Sequence, residues 1–262
     1  MPKRVVVLGV EGAPLLRLEG AEAVSLDWRR PDVLPACDVA VLLGDPSAQG
    51  SHEDLLRRNL GWVRAAAEAA ARRPGCALVV AVRPVNALAL AALRAGSLPR
   101  ERVLGVAGLT DSLRLAGLIG RALGVEPADV RAAVLGGCGE SLVALPRLWS
   151  VGGIPAEELL SHQDLDRLAR EACAAAAPGE LTAAAAQLTG ALLGGGRRLC
   201  TGSVLLEGEY GVHGIFLAVP VVLGPGGLER IVQLNLTVAE RAALQKAASA
   251  GRALQGLIGG AR

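Results

Sequence analysis

The chain has 262 residues, 52% of them apolar, with 27 basic against 25 acidic side chains and a formal charge of +2. That length supports one large domain or two modest ones, and the interspersed charge marks no nucleic-acid or anionic-membrane surface. Aromatic content of 2% argues against a base-stacking platform, and no apolar run approaches the roughly 20 residues of a membrane span, so a soluble, cytoplasmic protein with neither nucleic-acid nor membrane partners is expected.

Short apolar runs at Arg4–Gly9, Glu22–Leu26, Val39–Leu43, Ala77–Val82, Val103–Val106 and Ala132–Leu135 read as strands. Between them His52–Arg72 reads as a helix capped by Ser51 with Asp54 three residues on, and Asn86–Ala95 and Asp111–Leu123 as two more. Alternation of this kind builds a parallel, Rossmann-like sheet. Further on, Pro155–Ala177 and Thr182–Leu193 are expected to be helical, Ser203–Glu207, Gly214–Leu223 and Leu228–Leu234 to be strands, and Thr237–Ile258 to be a last amphipathic helix. The expected fold class is α/β, a truncated Rossmann-like domain over 1–126 followed by a mixed α+β domain over 127–262. Cys37, Cys76, Cys138, Cys173 and Cys200 are scattered with no CxxC pair, which fits reduced thiols better than a disulfide framework or a zinc site.

Three stretches resemble the malate/lactate dehydrogenase family. Gly105-Val-Ala-Gly-Leu-Thr-Asp-Ser-Leu-Arg114 followed by Val134-Leu-Gly-Gly-Cys-Gly-Glu-Ser-Leu-Val-Ala-Leu-Pro146 resembles the family's L-D-S-x-R helix start, G-G-H-G-D and following proline. Ser203-Val-Leu-Leu-Glu-Gly-Glu-Tyr-Gly211 through Val219-Pro220 and Gly224 resembles its S-V-x-L-x-G-x-Y-G and V-P-V strands, and Val82-Arg-Pro-Val-Asn86 its V-x-N-P-V-D element. The resemblance implies a Rossmann domain carrying NAD, joined to a lactate/malate dehydrogenase-type C-terminal domain and assembled as dimers or tetramers. It implies hydride removal from a 2-hydroxy acid while an Asp-held His takes the hydroxyl proton, one Arg binds the carboxylate and a loop Arg polarises the carbonyl.

Against that pattern the chain departs at most positions. The phosphate loop offers only Gly9 and Gly12, with Glu11 where an anion should sit. Asp27 stands where a ribose partner belongs, or is a solvated turn carboxylate. Ten residues separate Asp27 from Asp38, too few for the family's helix and extra strand there. The loop Gly44–Ser51 holds no Arg or Lys, and the next basic position is His52, a donor when protonated or simply an exposed first-turn residue. Arg83 replaces the substrate-orienting Asn, and either binds an anion or pairs with a carboxylate. Cys138 replaces the catalytic His; an adjacent carboxylate raises a thiol's pKa, so packing is favoured over catalysis. Asp111, the counterpart of the His-orienting Asp, and Arg114, the counterpart of the carboxylate-binding Arg, are retained and three residues apart on one helical face.

Three functions follow from these residues. A catalytically degenerate homologue acting as a structural, regulatory or partner subunit is expected first. A working NAD-dependent oxidoreductase on malate or lactate, with a remodelled site of His52, Arg83, Asp111 and Arg114, is the alternative, and a small-anion sensor is the third. NAD is the cofactor if the chain turns over and none is needed if it does not. Self-association is expected, with a homodimer as the default.

Overall fold

A computed structural model describes residues 3–10, 20–45, 47–137, 141–174 and 177–259. Strand β1 (Lys3–Gly9) is apolar on both faces: Val5 and Val7 enter one core, Val6 and Leu8 the other. A strand covered on both sides requires this continuous apolar run. It pairs in parallel with β2 (Ala21–Asp27) and β3 (Val39–Gly44). Helix α1 (His52–Ala71) then leads to β4 (Ala77–Val80), α2 (Val85–Gly96) to β5 (Val103–Gly105), and α3 (Leu109–Leu123) leaves the parallel sheet.

The second half begins with short strands: β6 (Val130–Arg131), β7 (Val134–Gly136), β8 (Leu142–Ala144), β9 (Ser150–Val151) and β10 (Ile154–Pro155). Helices α4 (His162–Ala172) and α5 (Pro178–Leu193) follow, then long strands β11 (Arg198–Glu207) and β12 (His213–Gly224), β13 (Gly227–Ile231), and α6 (Val238–Gly256). The main sheet runs β2-β1-β3-β4-β5-β11-β12-β7-β8, with β13 beside β12, and β6, β9 and β10 form a small antiparallel sheet. The two halves of the chain thus share one sheet, joined antiparallel where Ser203 of β11 faces Gly105 of β5. Helices α1 and α2 cover one face, α5 and α6 mainly the other, and Trp149 seals a third cluster between α3 and α4.

The expectation of one helix over Pro155–Ala177 is corrected. Pro155 pairs with Ser150 in a hairpin, and the helix begins only at His162, where Ser161 Oγ accepts the Asp164 amide at 3.2 Å. This S-x-x-D cap is the same signal that starts α1 at Ser51, and the Ala- and Glu-rich composition around it hid the break. The strand expected to reach Leu234 ends at Ile231, and of the Ala132–Leu135 run only Val134 and Leu135 are strand, within β7, while β6 lies just before the run. Strands of two or three residues are too short to display a period of two.

Gly108 joins the halves closely. It precedes α3 at φ +76°, and a Cβ there would lie 2.8 Å from Thr201 Cγ2 of β11. Gly108→Ala should therefore lower the unfolding free energy by about 2 kcal/mol, read as a lower urea midpoint at unchanged slope, combining a left-handed backbone penalty with overpacking.

Candidate functional site

The carboxyl ends of β1, β3, β4 and β5 meet the amino ends of α1 and α3, the edge at which open parallel sheets bind ligands. Gly9 ends β1 and Asp27 ends β2, and the two face each other in register. A backbone turn and an acidic group are thus set side by side, as the ribose end of a dinucleotide requires. The Asp27 carboxylate accepts the Arg29 amide at 3.0 Å and meets the Arg29 guanidinium at 3.4 Å. Arg29 in turn lies 4.8 Å over the Trp28 ring, which packs on Trp62 with centroids 5.4 Å apart. Glu11, Gly12 and Cys138 lie outside the described residues.

Next to this corner the cleft is filled. Trp62, on α1, donates to Asn59 Oδ1 at 3.0 Å, and its ring reaches so close to Gly44 that a Cβ there would meet it at 2.9 Å. Gly44, at φ +61°, is required for that approach. Arg83 donates its guanidinium to the Ala48 carbonyl at 2.6 Å, which ties the 47–51 stretch over the cleft. Asp45 anchors the same stretch through Ser47 Oγ at 2.6 Å and Arg58 at 3.4 Å, and these partners hold its carboxyl below the usual range, Ser47 most strongly. Leu43, Asp45, Ala48, Asn59, Arg83 and Leu181 leave essentially no enclosed space among them, far short of the roughly 300–1,000 Å³ typical of ligand pockets. His52 is exposed in the first turn of α1.

The start of α3 carries the electrostatics. Asp111 is buried, with Oδ1 3.8 Å from Arg114 Nη1 and Oδ2 without a hydrogen-bond partner among the described residues. Burial pushes its carboxyl up to about 6, against the pull of the Arg114 guanidinium. Arg114 is itself engaged in a fork with Glu180: Nε donates to Oε1 at 3.0 Å and Nη2 to Oε2 at 2.6 Å. Its Nη1 donates to the Ala172 carbonyl at 2.9 Å and to that of Ala174. The guanidinium holds the Glu180 carboxyl below its usual range, and the Ala177 amide at 2.7 Å adds to this. A planar fork of this kind is how Arg recognises any carboxylate. Glu180 therefore takes the place that a free carboxylate would take on Arg114.

The structure brings Gly9 and Asp27 together and separately brings Asp111 and Arg114 together, with Arg83 closing the cleft between α1 and β4. The sequence reading missed Glu180 and Trp62. Glu180 has one recognisable signal: it stands at the third position of α5, where acidic side chains stabilise the helix start. Its partner 66 positions away has none.

The lactate/malate dehydrogenase α/β C-terminal domain model matches residues 169–253. A protein named malate dehydrogenase from Thermomicrobium roseum is 36% identical over 238 residues, covering 85% of this chain and 76% of the relative. Another of that name from Trichormus variabilis is 38% identical over 223 residues, 80% of this chain and 69% of the relative. Among solved structures, malate dehydrogenase from Salinibacter ruber superposes with TM-score 0.83 at 26% identity, covering 97% of this chain and 89% of that one. The enzyme from Aeropyrum pernix does so with TM-score 0.78 at 29% identity, covering 87% and 78%.

Proposed function

The chain belongs to the malate/lactate dehydrogenase family, and we propose that it is an NAD-linked 2-hydroxyacid dehydrogenase of malate type with a remodelled and slow site. The observation that carries this reading is the 36% identity to proteins named malate dehydrogenase over most of both chains, with Asp111 and Arg114 kept at the start of α3. The relatives thus back turnover over the non-catalytic role expected first from the sequence.

Cofactor fit differs along the cleft. Gly9 and Asp27 suit the ribose end, since their strands are in register and the Asp27 carboxylate engages only Arg29 among the described contacts; the Trp62–Gly44 contact and the Arg83–Ala48 tie must open for the nicotinamide end. When bound, NAD accepts or returns the hydride. Arg114 holds the substrate carboxylate, provided Glu180 swings away. With Cys138 where the family has its proton-accepting His, the hydroxyl proton falls to Asp111, whose carboxyl near 6 suits exchange around neutral pH. Losing the His and the loop Arg lowers kcat by several orders of magnitude relative to a complete site.

A second reading, a homologue without turnover, is favoured by the Arg114–Glu180 fork, which fills the one retained anion site from within. One experiment separates the two: titrate NADH by fluorescence, then follow NADH oxidation with oxaloacetate, the 2-oxo acid of malate, in the wild type and in Glu180→Gln. We expect NADH binding, slow oxaloacetate-dependent oxidation, and oxaloacetate affinity about tenfold higher in the variant, because a tethered carboxylate no longer competes. Absence of NADH binding overturns the dehydrogenase reading; oxaloacetate binding without NADH then supports an anion sensor, and no binding of either a partner subunit. We also propose a homodimer, and a division of the chain at 126/127 within the loop between α3 and β6.

A further inference from the structure

Cys37 and Cys76 lie 39 positions apart in sequence, yet their sulfurs approach to 3.5 Å. The pair sits at the amino ends of β3 and β4, opposite the edge that carries Gly9, Asp27 and Asp111. The parallel register of Val39 with Ala77 fixes this meeting, because it brings the residues just before each strand side by side. Cys76 is fully buried, whereas Cys37 is only half-buried.

We propose that Cys37 and Cys76 form a peroxide-oxidisable dithiol, an intramolecular modification site that staples β3 to β4. Three observations carry it. The sulfurs are already in contact at 3.5 Å and need close only from there to bonding distance. Arg73 is held beside them by its guanidinium bonds to the Leu34 carbonyl at 2.7 and 3.2 Å. The two thiols are also polarised apart: the Cys76 contact lowers the pKa of Cys37 against burial and the Asp38 charge, with a smaller contribution from Arg73, whereas the Cys37 contact and burial raise that of Cys76. Cys37, the less buried of the two, is therefore the nucleophile and the buried Cys76 the resolving thiol.

The step balances with a hydroperoxide as oxidant. The Cys37 thiolate attacks one peroxide oxygen; the O–O bond breaks, the departing hydroxide takes a proton to become water, and Cys37 is left as a sulfenic acid. The Cys76 sulfur then attacks the Cys37 sulfur, the S–O bond breaks, and the Cys76 proton leaves with the hydroxide as a second water. Two thiols are oxidised by two electrons and one peroxide is reduced.

The test is a hydrogen peroxide titration of the full chain at neutral pH, read by intact mass, peptide mapping and thermal melting. The expected result is a loss of about 2 Da that dithiothreitol reverses, mapped to a Cys37–Cys76 cross-link. A melting midpoint several degrees higher should accompany it, because the bond closes a long loop in the unfolded chain. In Cys76→Ala, Cys37 should stop at a sulfenic acid trapped by dimedone, and Cys37→Ser should leave Cys76 unreacted. A wild-type chain that accumulates sulfenic or sulfinic acid at Cys37, or cross-links Cys37 to any other cysteine or to a second chain, overturns the proposal.

Discussion

Arg114→Met is expected to lower the unfolding free energy by about 3–5 kcal/mol, whatever the chain does to malate. The side chain is 10% exposed and ties three elements together: Asp111 on its own helix, the Ala172 and Ala174 carbonyls at the end of α4, and Glu180 at the start of α5. Removing the cation leaves the buried Asp111 carboxylate without its counter-charge and frees the carbonyls of a helix terminus. Exposed ion pairs are worth little, but this one is largely desolvated, and breaking such a pair from one side is far worse than never having built it. For a chain of this size the loss corresponds to a fall in the melting midpoint of about 10 °C. An Arg114→Met protein that melts within a degree or two of wild type would mean that the fork contributes nothing net to folding.

Asp111→Asn should have the opposite sign above neutral pH. The unfolded carboxyl titrates at the ordinary value of 3.8 and the folded one near 6, so the folded state binds the proton more tightly. A raised carboxyl contributes stability that is complete below about pH 4 and is lost as pH rises through 6. The amide removes the ionisation, so the variant should gain on the order of 1–3 kcal/mol over wild type at pH 8, with the gain fading toward pH 4. The charge count points the same way, since one guanidinium serves two carboxylates, Asp111 and Glu180. Glu180 titrates in a separate window: its carboxyl is held low, so its contribution is lost only as pH falls below the ordinary carboxylate range. Urea denaturation at pH 4, 6 and 8 tests the prediction, and a variant destabilised at pH 8 would show that the Asp111–Arg114 attraction outweighs burial. The same variant bears on function, because a chain that uses Asp111 to take the proton loses oxaloacetate reduction in Asp111→Asn while growing more stable.

These two expectations use residues that the sequence had singled out and a carboxylate that it had not. Asp111 and Arg114 were legible because a helix places residues three apart on one face, so their pairing is local. Glu180 was not, because its partner comes from another helix. Arg83 was likewise visible as a cation in an unusual place, but its destination, the Ala48 carbonyl, depends on how the 47–51 stretch folds back. Trp62 carried the least signal of all. On the apolar face of α1 it reads as core, and only the contact with Gly44 makes it a wall of the cleft.

By itself the sequence determined the parallel β1 to β5 half, the cap at Ser51 and the family, because apolar period, capping and motif order are properties of neighbours along the chain. Tertiary structure alone decided that both halves share one sheet through Gly105 and Ser203, that Glu180 occupies Arg114, and that Cys37 meets Cys76. Each of these is a contact across dozens of residues, and contacts of that range are set by strand register and helix packing, which no local pattern encodes.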